Sequence, residues 1–366
     1  MSDDISFSIK ESTFQKLVGH KRAMGYGQKE WDEWFDKLSS SIPSEKESEQ
    51  MDIEKIFEKI HYDKNFEEWI RNFALNLQNI WNEFSARILD PDINKETKSN
   101  SSIIIGAGPS VKKNDHLKKI AGSNYKGNII CTDRMLIPAL KAGITPDRFP
   151  KYYVATIDGA EVLKRFYNDE IVKTYGPKIT GIFSTVVHPL TVQLAREAGI
   201  KMHWIHSLFD YNEGRKSFNQ MTAVMVRANK HTSGLPALQT GGNVGTSCWF
   251  IAWKILKSPS IALIGIDHSW DVNDKWEEIA FHTNAPVDID KNSPLFQKLF
   301  PKIYNPEFNT YCMLDPVFLY YSSALKEFIR RAPQWVNTFN ATEGGCIFGE
   351  RIACTTLEKF LNEYKD

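Results

Sequence analysis

Ten residues, Ser101 to Ser110 (SSIIIGAGPS), constrain the fold of this chain more than any others. Three β-branched residues, Ile103 to Ile105, run directly into Gly106-Ala107-Gly108-Pro109-Ser110. A short apolar run that ends in glycines reads as a buried parallel strand opening into a tight loop. Gly106 and Gly108 permit close approach of another backbone or a ligand. Pro109 has no N–H to lose, and its fixed φ suits the first turn of a helix. Ser110 then offers a hydroxyl near a helix N-terminus, where an anion such as a nucleotide phosphate is favoured. A strand-to-helix turn without a ligand fits the same ten residues equally well.

From Ser101 onward, candidate strands alternate with candidate helices. The strands are Ser102–Gly106, Asn128–Thr132, Tyr152–Ile157, Ile179–Ser184, Lys201–Ile205, Ile261–Ile266 and Trp335–Asn340. Between them lie helical stretches, notably Leu136–Ala142, Leu190–Glu197 and Val244–Lys257. This alternation predicts an α/β fold with a doubly wound, mostly parallel sheet covered on both faces. Ligands of such sheets sit outside the carboxyl ends of the strands, at the switch in strand order. Residues 1–98 have a different pattern. Apolar residues recur at helical spacing at Trp31, Trp34 and Leu38, at Ile53, Ile56, Phe57 and Ile60, and from Phe66 through Trp69, Phe73, Leu77 and Ile80 to Phe84. They predict a helical accessory region or oligomerisation surface (1–98), with a polar break at 39–50 and a linker at 90–100. A nucleotide-binding α/β domain (99–366) follows.

Charge removes some functions from consideration. With 45 Lys+Arg against 45 Asp+Glu the formal net charge is +0, so no basic face for nucleic acid is expected. The five cysteines form no CxxC pair, which predicts reduced thiols and neither a zinc site nor a disulfide framework. The start MSDDISFSIKES is acidic and polar, unlike a signal peptide, and no run of eighteen apolar residues occurs. A cytoplasmic protein without a membrane span is expected.

The candidate chemistry lies where strands end. Asp133 follows the second strand and Asp158 the third; each suits a ribose hydroxyl, or the two jointly a divalent cation, and Asp158-Gly159 is also a good turn in its own right. Ser184 and Thr185 end the fourth strand, placed either to face a ligand or to cap the helix opened by His188-Pro189. Thr240, Gly241, Gly242 and Asn243 open an apolar helix and suit an anion, although the same glycines suit tight helix–sheet packing. Asp267 ends the strand SIALIGID. His282 stands in the stretch AFHTN, expected as a polar, mobile loop, and is the general-base candidate because imidazole is the side chain best suited to proton transfer near neutral pH.

These pieces, in this order, resemble the Maf-type, MptE-like domain family. IIIGAGPSVKKN, LIPALKAGITPD, VATIDG, TGGNVGTSCWFIAWKIL, ALIGIDHSW and NTFNATEGGCIFG carry the resemblance, which spans roughly residues 101–352. One branch of that family is linked to attaching nonulosonic (sialic-like) acids to Ser or Thr of flagellin. Another contains 6-hydroxymethyl-dihydropterin diphosphokinases that use ATP and Mg²⁺. The domain is also similar to bacterial sialyltransferases, and that likeness maps onto Gly106 to Ser110, Thr240-Gly241-Gly242, Gly265-Ile266-Asp267 and His282.

The resemblance implies a sialyltransferase-like, Rossmann-like fold and a glycosyltransferase using a CMP-activated sugar acid. In that reading Gly106, Gly108, Pro109 and Ser110 shape a phosphate loop. Asp133 and Asp158 hold the nucleoside, with Ser184 and Thr185 beside them, and Thr240 to Asn243 take the leaving phosphate. His282 and Asp267 are the catalytic pair. It requires no metal cofactor. Its partners are the nucleotide-activated sugar and an acceptor protein (flagellin-like or another surface protein); a homo-oligomer is what the N-terminal helical pattern, not the resemblance, leaves open. The diphosphokinase alternative instead expects ATP, Mg²⁺ and a carboxylate cluster drawn from Asp133, Asp158 and Asp267. A non-catalytic nucleotide-binding scaffold is the third reading.

Overall fold

The computed structural model describes residues 53–208, 218–227, 233–283 and 285–364, with no side-chain detail before residue 65. The spacing noted at Trp31, Trp34 and Leu38 and the break at 39–50 lie outside these residues.

The strands are β1 (Phe84–Ser85), β2 (Ser101–Ile105), β3 (Asn128–Thr132), β4 (Tyr152–Thr156), β5 (Thr180–Ser184), β6 (Lys201–Leu208) and β7 (Ala237–Gln239). After them come β8 (Ser260–Ile264), β9 (Trp270–Asp271), β10 (Lys302–Asn305), β11 (Thr310–Met313), β12 (Asn337–Asn340) and β13 (Ile352–Cys354). The helices that shape the site are α1 (Ile53–Asn82), α2 (Ser110–Lys113), α3 (Asp133–Lys141), α4 (Pro189–Glu197), α5 (Phe218–Met225), α6 (Val244–Phe250), α7 (Trp276–Thr283), α8 (Pro316–Arg331) and α9 (Leu357–Glu363).

Ten strands, among the described residues, form one sheet in the order β1-β6-β5-β4-β3-β2-β8-β12-β13, with β7 beside β6. Every pairing in it is parallel. The chain winds outward from β2 to β6, then returns to the other side of β2 with β8. The strand order therefore switches between β2 and β8, and ligand-binding crevices in open α/β sheets form at such a point.

Side chains alternate across the central strands. Ile103 and Ile105 enter one core with Ile129, Cys131 and Val154, while Ile104 enters the other with Ile130, Ala155 and Leu263. Helices α1, α3, α4 and α9 cover the first face. The second is covered by α6, which continues through a π-turn over Ile251–Ile255, and by α8. Strands buried on both faces read as unbroken apolar runs, which is why they were visible in the sequence.

Two features differ from expectation. Residues 69–86, assigned by pattern to the helical accessory region, are built into the α/β unit. Trp69, Phe73 and Ile80 join the first core, Ala86 joins the second, and β1 extends the sheet. A three-stranded antiparallel ribbon, β10-β11-β9, also follows β8 and carries its own small core of Trp276, Ile279, Ala280, Phe296 and Phe300. Its strands have two to four residues, too short to show a period. The five cysteines are free thiols, and among the described residues no helix is long and apolar enough to cross a membrane.

Candidate functional site

At the switch point the two strand ends close on each other. The Gly106 amide donates to Ile264 O at 2.8 Å, and the Gly108 amide to Gly265 O at 2.8 Å. A Cβ on Gly106 would stand 2.3 Å from Gly265 O, and one on Gly108 2.0 Å from Asp267 Oδ2. These glycines therefore admit the neighbouring loop. The Ser110 hydroxyl, expected to be open to a phosphate, donates to Asp267 Oδ2 at 2.9 Å and accepts from the Gly265 amide at 3.2 Å. The anion at this helix start is the chain's own carboxyl group. Pro109 precedes α2 and makes no side-chain cap. Burial pushes the Asp267 carboxyl up to about 6, with the Ser110 donors opposing.

The loop after β8 is held in an uncommon conformation. Gly265 has φ +63° and His268, a non-glycine residue, φ +45°. The later stretch Asn340 to Cys346 fastens it. The Cys346 amide donates to Asp267 O at 3.1 Å, and its thiol to His268 O at 3.0 Å. Asn340 keeps that stretch in shape by donating to Gly344 O and Ile347 O and accepting from the Thr342 amide and hydroxyl. The end of the stretch NTFNATEGGCIFG thus braces the switch-point loop.

On the β3–β5 side, Asp133 starts α3 and is buried, its Oδ1 accepting from the Arg134 amide at 2.7 Å. Burial raises its carboxyl to about 7, and the nearby Asp158 charge adds to the rise. Asp158 is exposed and accepts from the Ala160 amide at 3.1 Å. The Asp158 charge thus acts on Asp133, whereas Asp267 is bonded to Ser110. Among the described residues, no three His, Cys, Asp or Glu side chains are grouped to hold a metal ion.

Ser184 and Thr185 are fully buried. Ser184 accepts from the Ser207 hydroxyl at 2.8 Å, and Thr185 Oγ1 lies 3.4 Å from His206 Nδ1. Neither caps α4: His188 does, accepting from the Leu190 amide at 3.3 Å.

The turn Thr240 to Asn243 is capped from within. Asn243 Oδ1 accepts from the Thr246 amide at 2.9 Å, and the Gly242 amide donates to Thr240 Oγ1 at 3.3 Å. A Cβ on Gly242 (φ +78°) would meet Tyr321 and Tyr320 at 2.5 and 2.6 Å. Tyr321 also lies 5.8 Å from the His268 ring, and burial raises its phenol to about 12, with smaller contributions from the Asp158 and Asp315 charges. It thus lies against both the turn at Gly242 and the loop at His268, and its sequence signal is two adjacent tyrosines on a helix.

His282 stands in the last turn of α7, not in a loop, and is exposed. Its ring stacks on Trp270 (centroids 5.7 Å apart, planes at 29°). Trp270 Nε1 in turn donates to Asp315 Oδ2 at 2.7 Å, and Asp315 caps α8 through the Phe318 amide. A 3.6-residue period could have placed Trp276, Ile279, Ala280 and Thr283 on a helix, but the polar HTN ending obscured it.

A family model described as 6-hydroxymethylpterin diphosphokinase MptE-like matches residues 71–273. This segment contains the switch point, Asp133, Asp158 and the Thr240–Asn243 turn, and ends before His282. No curated protein matches the chain. Among solved structures, a MAf glycosyltransferase from Magnetospirillum magneticum AMB-1 is similar in fold over 71% of this chain, at 17% identity and a TM-score of 0.50. The aligned part is about a third (34%) of that protein.

Proposed function

This chain belongs to the MptE-like family, and on that premise we propose that it is a nucleotide-dependent transferase whose transferred group is a glycosyl unit. The donor is a CMP-activated nonulosonic, sialic-like acid, and the acceptor is a Ser or Thr hydroxyl of a surface or motility protein. The likeness of fold to a MAf glycosyltransferase supports the class of reaction. The observation that carries the reading is His282: an exposed imidazole stacked on Trp270, which Asp315 fixes at the head of α8.

In this mechanism Asp133 and Asp158 hold the nucleoside at the carboxyl edge of the sheet. His282 accepts the acceptor's O–H proton as that oxygen bonds to the anomeric carbon, and CMP leaves with the electron pair of the broken C–O bond. General-base catalysis of this kind contributes about 10²–10⁴-fold. Gly106, Gly108 and Ser110 act through Asp267, fixing the switch-point loop on which Trp270 follows.

The influence of the Asp158 charge on Asp133 favours a second reading, the diphosphokinase of the family description. Those two carboxyl groups would hold Mg²⁺ with ATP, because Mg²⁺ is commonly bound by one or two carboxylates plus phosphates. A thermal-shift series with CMP, CDP, ATP, GTP and AMP, each with and without Mg²⁺, separates the two. Stabilisation by CMP without metal is expected; stabilisation by ATP only with Mg²⁺ would replace glycosyl transfer by diphosphate transfer. No shift with any nucleotide would refute both. In the glycosyl reading, His282→Ala lowers transfer at least a hundredfold while nucleotide binding stays unchanged.

A further inference from the structure

Helix α1 turns one stripe toward the sheet, and two amides stand in it. Trp69, Phe73 and Ile80 are core residues, and between them Asn72 and Asn76 are 1% and 0% exposed. A buried amide is costly unless it is bonded, and asparagine is a poor helix former, so this stripe forgoes stability twice. The bonds explain it. Asn72 Nδ2 donates to Gly159 O and Val186 O, both at 3.0 Å. Asn76 Nδ2 donates to Thr185 O at 3.2 Å and Val187 O at 2.7 Å. All four carbonyls lie just past the carboxyl ends of β4 and β5, where the ladder has stopped and a backbone acceptor needs another partner.

Gly159 shows how close the fit is. A Cβ there would stand 2.9 Å from Trp69 Cδ1, 2.9 Å from Val186 O and 3.0 Å from Asn72 Nδ2. The glycine of the Asp158-Gly159 pair is thus the space that α1 occupies. Beyond this contact, α1 packs along α8, and Glu83 just past its end accepts from Arg196 Nε at 2.7 Å and Trp204 Nε1 at 2.8 Å. The helix touches both flanks of the carboxyl edge and is anchored where it ends.

We propose that Asn72 and Asn76 are positioning residues of the nucleotide site. They set the loop bearing Asp158 and the loop bearing Thr185 at the separation the nucleoside requires, which makes α1 part of the site. This inference rests on the reading of that edge as nucleotide-binding.

The test uses the full chain and isothermal titration with CMP and with Mg²⁺·ATP, at a temperature where circular dichroism shows every variant folded. Asn72→Ala, Asn76→Ala and Gly159→Ala are compared with the wild type; the last disturbs the same contact from the loop side and serves if an asparagine variant does not fold. The expected result is a Kd raised roughly tenfold to a hundredfold, the scale of loss when a site is misplaced by about 1 Å. Amide exchange should accelerate at residues 159–160 and 185–188. A wild type that binds, with folded variants lower in Tm but within twofold of its Kd, would reduce the asparagines to fold residues and overturn this inference alone. A wild type that binds neither probe would overturn the inference together with the nucleotide reading.

Discussion

Two kinds of loop line the carboxyl edge of this sheet, and they are held in opposite ways. The glycine-rich loops, Gly106–Ser110 and Thr240–Asn243, look like phosphate cradles but face their own chain. The first closes on Gly265 and Asp267, the second on Tyr320, Tyr321 and its own asparagine cap. The loops after β4 and β5 look ordinary, yet they carry Asp158 and Thr185 and are held from outside by two asparagines of a distant helix. Glycine in a motif records that something comes close; the structure decides whether that is a ligand or another loop.

The sharpest way to break this comparison is to fill the space between the switch-point loops. In Gly265→Ala the new Cβ meets Gly106 O at 2.1 Å, on a residue with φ +63°. Backbone strain and overpacking together should cost about 4 kcal/mol in chemical denaturation. Unchanged stability would mean that the two loops are not in contact.

Asp133 gives the next effect. Its carboxyl is held up to about 7 from an ordinary 3.8, so between those values the folded state binds more protons than the unfolded state. Its contribution to stability is therefore fullest below about pH 4 and lost as pH rises through 7. Asp133→Asn should gain about 4 kcal/mol over the wild type at pH 8 relative to pH 4, read by urea melts at both. Equal differences at the two pH values would contradict the burial of this carboxyl group.

Ser110→Ala is milder. It removes one donor to Asp267 and should cost about 1–2 kcal/mol. It should also move the Asp267 carboxyl above its present value of about 6, followed by carbon-detected NMR titration. No movement would separate Ser110 from Asp267. The smallest effect belongs to Gly344→Ala. Nothing lies within 4 Å of a Cβ there, so the change should stay within about 0.5 kcal/mol, setting the baseline for the glycines that do meet backbone.

How far the sequence reached depends on what each residue contacts. Strands β2, β3, β4, β5 and β8 were legible because burial on both faces makes them continuous apolar runs. Helix α6 was legible as apolar, but not the π-turn that continues it. The edge on which the candidate residues fall followed from topology alone. The partners of those residues did not, because Ser110 meets Asp267 across 157 positions and Asn72 meets Gly159 across 87. A signal for Asn72 and Asn76 did exist, two amides at i, i+4 inside the stripe Trp69, Phe73, Ile80. An apolar period alone does not register it, because asparagine is polar. The stretch Asn340 to Cys346 braces Asp267 and His268, a role visible only once the two strand ends stand side by side.

The most direct measurement is residue-resolved hydrogen exchange on the full chain, free and with saturating CMP. The amides of Gly106 and Gly108 should exchange slowly already in the free protein, because Ile264 O and Gly265 O hold them. CMP should then add protection mainly around Asp158 and residues 185–188. Fast exchange at Gly106 and Gly108 in the free protein, with protection appearing there when CMP binds, would contradict the account: the glycine loop would be the phosphate cradle after all.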